Sequence, residues 1–305
     1  MYNGIINVYK EAGFTSHDVV AKLRGILRQK KIGHTGTLDP DAVGVLPVCL
    51  GSGTRLCDML TDWNKEYIAQ LRLGVTTDTQ DLSGQVLTQA SAESLDALSP
   101  AKVEEAIKSF QGKYEQIPPM YSALKVNGKK LYELAREGKE VERKARTVEI
   151  TELEILESSL PVVKMRVVCS KGTYIRTLCH DIGEKLGVGG AMQSLQRSRV
   201  GIFRVEDALT LSKLEEFRDK DKITDVIIKP DAVFAEKQAV CVNELGEKFV
   251  KNGNQLTAAH LEKAGHFEQG EQVRVYDTGR NFCGIYEYRA GERKLWPVKM
   301  FLTKD

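Results

Sequence analysis

Two hydrophobic periods coexist in this chain, and together they restrict its architecture more than any other feature. Along residues 66–73 every second residue is turned to one face, so that Tyr67, Ala69, Leu71 and Leu73 line up, and Val163, Met165 and Val167 repeat the step within 162–169. Such alternation fits strands with one covered face. Elsewhere the step is three or four: Val19, Val20, Leu23, Ile26 and Leu27 follow Ser16, a suitable cap, and Ile175, Leu178, Cys179, Ile182 and Leu186 run up to Gly187. These are the stripes of amphipathic helices with ordinary stop and start signals. Half-covered strands mixed with such helices predict an α+β fold, and 305 residues that are 42% apolar can bury a core without disulfides.

The remaining segments fill in this outline. Residues 44–50 read as a buried strand, 101–111 as a helix, and 116–122 as extended, because Pro118 and Pro119 bias their predecessors away from helix. The stretch 206–229 is helix-forming and mixed in charge. After Lys229-Pro230 the texture changes to a helix near 245–251 and short strands around 272–276, 282–288 and 295–301, with turns at Asp277-Thr278-Gly279 and Ala290-Gly291. The expected division is 1–230 and 231–305, the second part small and β-rich.

Several classes of chemistry find no support. The six cysteines (49, 57, 169, 179, 241, 283) contain no C-x-x-C pair and read as reduced thiols, mostly core filler, and the five histidines show no metal-ligand spacing. The glycines of Gly33-His34-Thr35-Gly36-Thr37-Leu38-Asp39-Pro40 lack the order of a nucleotide-phosphate loop. We therefore expect no metal and no cofactor. The N-terminus has no leader-like pattern and no run approaches a membrane span, so the expectation is a soluble, cytoplasmic protein with no membrane contact.

Net charge is only +2, yet the charges are segregated. Between Val75 and Phe110 six acids face two lysines, whereas Lys125 to Arg146 holds eight basic residues against four acids. A near-neutral chain of this kind can still offer phosphates a basic surface.

On loop chemistry alone Asp39 before Pro40 reads first as a turn aspartate, Tyr67 as a packed sheet aromatic, and Arg176 as an ion-pairing residue. The ensemble alters that reading. His34-Thr35-Gly36-Thr37-Leu38-Asp39-Pro40 resembles the signature of the TruB family of pseudouridine synthases. Further matching blocks are Lys10 with Thr15-Ser16, Glu66-Tyr67 with Leu73-Gly74, Thr77 to Gly84, Pro118 to Lys125, Tyr132 to Gly138, and Cys169 to Leu178. Together they cover most of residues 5–204. Two positions depart from the pattern: Glu11 stands where proline usually follows the lysine, and Leu195-Gln196-Arg197 replaces Leu-Arg-Arg.

The resemblance implies a catalytic domain with a mixed, largely antiparallel central sheet flanked by helices and loops, followed by a PUA-like β-barrel that binds RNA. It implies isomerisation of uridine 55 in the T-arm of tRNA, on a base flipped out of its stack, by a monomer without an obligate protein partner. Asp39 would be the essential carboxylate, Tyr67 would stack on the base, and Arg176 would pair with Asp39 and lower its pKa. His34 would brace the place the base leaves, Tyr174 and Leu195 would line the pocket, and Lys10 would add positive charge near Asp39. The basic stretch 123–146 would be an insertion closing over RNA, with Lys125, Lys129, Lys130, Arg136 and Arg143 as contacts; by pattern alone it is equally a solvated helical hairpin. Three other readings stand beside this one: a tRNA-folding chaperone using the same surface, a guide-RNA-dependent relative working in a multiprotein particle, and a hydrolase built on Cys179-His180.

Overall fold

The computed structural model describes residues 1–302 apart from positions 127 and 264. In chain order, strand β1 (Gly4–Lys10) is followed by helix α1 (Ser16–Leu27), the short β2 (Ile32–His34) and β3 (Val43–Leu50). A 3-10 helix (Gly51–Leu56) leads into α2 (Cys57–Thr61), then β4 (Lys65–Leu73) and a hairpin of β5 (Val75–Thr77) and β6 (Val86–Gln89). Next come α3 (Ala92–Asp96), α4 (Pro100–Lys108) and β7 (Gly112–Gln116). The basic insertion forms a two-residue-per-strand hairpin, β8 (Lys125–Val126) and β9 (Lys129–Lys130), with α5 (Leu131–Arg136) behind it. After it run β10 (Arg146–Ser159), β11 (Val162–Cys169), α6 (Ile175–Leu186), β12 (Gly190–Val200), β13 (Phe203–Arg204) and α7 (Leu211–Asp219).

The first sheet has nine strands in the order β1-β3-β12-β4-β11-β10-β7, with β2 on β3 and β13 on β12. Every pairing is antiparallel except that of β12 with β3, which is parallel, so the sheet is mixed as expected. Around β1 and β3 both faces are covered. Ile6, Val8, Leu46, Val48 and Leu50 pack on α1 and α7, while Ile5, Val45 and Cys49 face the 3-10 helix, α2 and the C-terminal segment. That double cover explains why residues 44–50 read as an uninterrupted apolar run. By contrast β4 and β11 are covered on one face, where Tyr67, Ala69, Leu71, Leu73, Val163, Met165 and Val167 meet α4 and α6.

Thr15, rather than Ser16, caps α1: its Oγ1 accepts from the Asp18 N–H at 3.1 Å and its own N–H donates to the Asp18 carboxylate at 2.8 Å. This reciprocal cap satisfies two donors at the helix start and leaves Ser16 free for another task, described below.

The C-terminal part has its own sheet, β14 (Ala239–Cys241), β15 (Gln272–Tyr276), β16 (Phe282–Arg289) and β17 (Lys294–Met300) in sequential order, with α8 (Glu244–Lys251) beside it. The expected closed barrel is not formed among the described residues. β14 and β17 lie at opposite edges with no ladder between them, and apart from its ladder with β16 the last strand meets the chain through the isolated bridge Leu256 to Leu295. The core of this sheet is separate (Val240, Val250, Val273, Val275, Tyr286), but Ile285 and Phe301 share a cluster with Ile5, Val45 and Leu56 of the first sheet. Arg55 adds to the join by donating to the Met300 and Leu302 carbonyls at 2.9 and 3.0 Å. No helix among the described residues is long and apolar enough to cross a membrane.

Candidate active site

Between β2 and β3 the chain runs without regular structure, and its path is fixed by three groups buried beneath it. The Ser16 hydroxyl accepts from the Leu38 N–H at 2.9 Å. The Lys10 ammonium, fully buried, donates to the carbonyls of Ala42, Pro40 and Glu11 at 2.6, 2.8 and 3.0 Å. Burial pulls this lysine down to about 8, and the nearby Asp39 and Asp41 charges oppose the fall, so it still carries its proton at neutral pH. Arg197, buried as completely, donates to Val45 O at 2.7 Å, Gly36 O at 3.2 Å and Thr37 O at 3.5 Å.

Arg197 reaches these carbonyls because of the parallel pairing of β12 with β3, which sets it opposite Gly44. Gly44 has φ +108°, and a side chain there would stand 2.2 Å from the Arg197 carbonyl oxygen. Only glycine allows the two strands this approach at the exit of the loop.

Held in this way, Asp39 meets Arg176 in a two-pronged ion pair: Arg176 Nε lies 2.9 Å from Asp39 Oδ2 and Nη2 donates to Oδ1 at 3.2 Å. The arginine side chain is 6% exposed whereas the aspartate retains 38%, so the pair presents the carboxylate outward and hides the cation. The other guanidinium donors are also engaged, with Thr79 O and Tyr121 O at 2.9 Å each, and Asp81 Oδ2 stands 3.7 Å from Nη1. With every prong directed, the side chain has no freedom to leave Asp39. The expected lowering of the Asp39 pKa by Arg176 is present but outweighed: burial pushes the carboxyl above its ordinary range, Arg176 pulls it back, and Asp81 adds to the rise.

Arg176 is aimed by its own helix start. Gln116 clamps the backbone of Tyr174, accepting from its N–H at 2.8 Å and donating to its carbonyl at 3.0 Å, two residues before the arginine. Gly172, at φ +80°, makes the turn that precedes it. Tyr67 lies on β4 opposite Arg197 and Val167, 8% exposed, and burial holds its phenol above the ordinary range. Burial also raises the Tyr174 phenol, and the Asp39 charge adds to the upward shift of both tyrosines. Leu195, across from Ala69, belongs to the same apolar cluster as Tyr67, Leu38 and Ile175.

His34 ends β2, and its Nδ1 accepts from the Gly36 N–H at 3.3 Å. Burial, His17 and Arg197 bring it down to about 4, so the ring is neutral at physiological pH. The His17 ring stands edge-on to it, 5.4 Å between centroids. Both line a depression of about 520 Å³ shared with Arg24, Lys30, Lys31 and Cys57.

The insertion is placed differently. Lys125, Lys129 and Arg136 are exposed, Lys130 lies over the Tyr132 ring at 5.3 Å, and Arg143 is tied to Pro118 O at 3.2 Å and to Glu140 at 3.1 Å. Among the described residues no group of histidines, cysteines and acids is arranged to hold a metal ion. Cys179 is fully buried in the apolar cluster and burial pushes its thiol up, which leaves a Cys179-His180 hydrolase without a nucleophile.

Sequence reasoning brought Asp39, Arg176, Tyr67, His34, Tyr174 and Leu195 together, and the structure sets them around one loop. It overlooked Arg197, Asp81 and Gln116. Arg197 and Asp81 fall within blocks already singled out, but a buried arginine and a lysine such as Lys10 carry no sequence mark that separates them from surface charge.

Comparison with known proteins agrees with this geometry. Residues 24–175 match the model of the TruB family pseudouridylate synthase N-terminal domain, and residues 176–234 that of the tRNA pseudouridylate synthase B C-terminal domain. A protein named tRNA pseudouridine synthase B from Lachnoclostridium phytofermentans is 52% identical over 98% of this chain and 100% of its own length. Its namesake from Alkaliphilus oremlandii is 46% identical, over 93% of this chain and 92% of its own. Among solved structures, one of a Cbf5-Nop10-Gar1 complex superposes with a TM-score of 0.73 at 29% identity, covering 98% of this chain and 85% of that one. An H/ACA RNP bound to a substrate RNA containing 2′-deoxyuridine gives 0.72 at 26%, covering 99% and 86%. A near-complete match at this identity, on a fold whose loop carries an arginine-held aspartate, leaves one conclusion: the chain belongs to the TruB family of pseudouridylate synthases.

Proposed function

We propose that this enzyme converts uridine 55 in the T-arm of tRNA to pseudouridine, with Asp39 as the catalytic carboxylate. The supporting observation is the Asp39–Arg176 pair: a carboxylate gripped at both oxygens by a hidden arginine and left partly open to solvent. The names of the curated relatives support tRNA as the substrate.

The reaction is an internal rearrangement. The N1–C1′ bond breaks with its electron pair leaving on the uracil, the base turns, C5 bonds to C1′, and the C5 proton departs while N1 gains one. Atoms and electrons balance without a redox partner. Asp39 stabilises the electron-poor C1′ during the turn, which an anion screened from water by the bound nucleoside does far better than one in bulk water. Tyr67, kept as a neutral phenol, supplies a face for the uracil, and Tyr174 and Leu195 complete the apolar walls. Extruding the base costs a few kcal/mol, and stacking returns about 1–3 kcal/mol. His34, neutral and backed by His17, fills the gap in the RNA. Lys10 acts from beneath, through the loop carbonyls. Lys125, Lys129, Lys130, Arg136 and Arg143 meet the RNA backbone, and the open C-terminal sheet serves as a PUA-like RNA contact. The enzyme works as a cytoplasmic monomer without an obligate protein partner.

The test is release of tritium from C5 of uridine in a tRNA transcript. Asp39→Asn keeps the shape of the side chain and removes its charge, so tRNA should bind with near-normal affinity while turnover falls at least about 10³-fold. Undiminished turnover by that variant would overturn the assignment of Asp39. Label released from a uridine outside the T-arm would overturn the substrate site, and tRNA refolding without any product from the unmutated protein would favour the chaperone.

A further inference from the structure

Two cysteines that the reaction does not use lie side by side next to the loop. Cys49 sits on β3, fully buried, and its partner across the antiparallel ladder is Gly33 of β2. Directly paired residues of such a ladder project their Cβ atoms to the same face, about 4.5–5.5 Å apart. A Cβ built on Gly33 would stand 3.2 Å from the Cys57 sulfur, so that sulfur occupies the space left by the missing Gly33 side chain, on the same face as Cys49. Both belong to one apolar cluster, and the 3-10 helix of residues 51–56 is the short link that folds Cys57 back over the strand.

Their exposures differ. Cys49 has no path to solvent, whereas Cys57 is half-buried and opens on the depression lined by His17, Arg24 and His34. The proximity of the two thiols holds Cys57 below its ordinary range and, together with burial, pushes Cys49 up. One sulfur is therefore reachable from solvent, and the other waits behind it.

We propose that Cys49 and Cys57 form a peroxide-reactive dithiol, with Cys57 the attacking thiol and Cys49 the resolving one. The Cys57 thiolate attacks one oxygen of hydrogen peroxide, the O–O bond breaks, and hydroxide leaves and takes up a proton to become water, giving a sulfenic acid at Cys57. The Cys49 sulfur then attacks Cys57, the S–O bond breaks, and water leaves with the Cys49 proton. Two thiols and hydrogen peroxide thus become one disulfide and two waters, the sulfurs oxidised and the peroxide reduced. The resolving step also halts Cys57 before the irreversible sulfinic stage. This inference is independent of the RNA substrate.

The experiment treats the reduced, full-length protein with hydrogen peroxide, blocks remaining thiols after denaturation, and digests it without reductant. Trypsin cuts after Arg55, between the two cysteines, so the bridge appears as a linked peptide pair that dithiothreitol separates. The expected result is loss of both free thiols at 49 and 57 while Cys169 and Cys179 stay free, both fully buried. In Cys49→Ala, Cys57 should be trapped by dimedone or pass to sulfinic acid that dithiothreitol does not restore, and in Cys57→Ala, Cys49 should stay unoxidised. Because the mapping on the unmutated protein decides the matter, a variant that folds poorly does not obscure it. Free thiols at both positions under peroxide that oxidises Cys241, or sulfinic Cys57 with no linked pair in the unmutated protein, would overturn the proposal.

Discussion

The loop between β2 and β3 and the basic insertion at 123–146 are both surface connections, yet they use positive charge in opposite ways. Under the loop, Lys10 and Arg197 are fully buried and spend their donors on backbone carbonyls, so their charge sets geometry. In the insertion Lys125, Lys129 and Arg136 face solvent and Lys139 makes an exposed pair with Glu137, so their charge stays available to an outside phosphate, while Arg143 alone of the proposed contacts is tied to a backbone carbonyl. Placement relative to solvent decides what a lysine or arginine does, because an exposed pair is worth little while a buried cation left without its acceptors is costly.

Substitutions can test that contrast, beginning with the largest effect. Arg176→Met leaves the Asp39 carboxylate without its partner and strands the Thr79 and Tyr121 carbonyls; we expect a loss of about 3–5 kcal/mol in urea unfolding and no measurable turnover. A variant as stable as the parent would show that the pair does not hold the loop. Lys10→Met removes three bonds to backbone carbonyls and should cost about 2–4 kcal/mol, lowering kcat more than it raises KM.

A third check uses pH. His34 is held at about 4 in the folded protein, below the ordinary 6.5, so the unfolded chain takes up its proton first. Stability from this group is therefore full above pH 6.5 and declines as pH falls toward 4. His34→Gln should flatten that limb of a thermal unfolding series, and an unchanged slope would remove His34 as its source. The smallest effect on stability belongs to the insertion: Lys125→Ala and Lys129→Ala should stay within about 0.5 kcal/mol of the parent. Each should instead reduce the salt dependence of tRNA binding by about one unit of slope in a log–log titration. A stability loss as large as that of Lys10→Met would erase the contrast.

How far the sequence could be read follows from the same physics. α1, α6, β4 and β11 are covered on one side, so their apolar periods are clean, and the three strands of the C-terminal sheet stood out by their turns. β12 was not legible although it lies in the middle of the sheet. Its register shifts between Met192 and Ser194 and between Arg197 and Arg199, which breaks the two-residue period, and its largest fully buried side chain is an arginine. β10 is long but mostly exposed, with acids along one face, and resembles a solvated segment. At the site, Asp39 and Arg176 were found through their motif blocks. The backbone carbonyls of Thr79 and Tyr121 that complete the arginine's coordination have no residue type to announce them, and neither does a barrel that the C-terminal strands leave open.

The apolar cluster that joins the two sheets has a consequence for how the protein is made. Phe301, which packs in the same cluster as Ile5, leaves the ribosome about 300 residues after it. At roughly 5–20 residues per second the wait lasts tens of seconds. Until Phe301 emerges, the seam around Ile5 and Val45 lacks the part of its cover that the C-terminal segment supplies, which leaves that apolar surface open to association during synthesis.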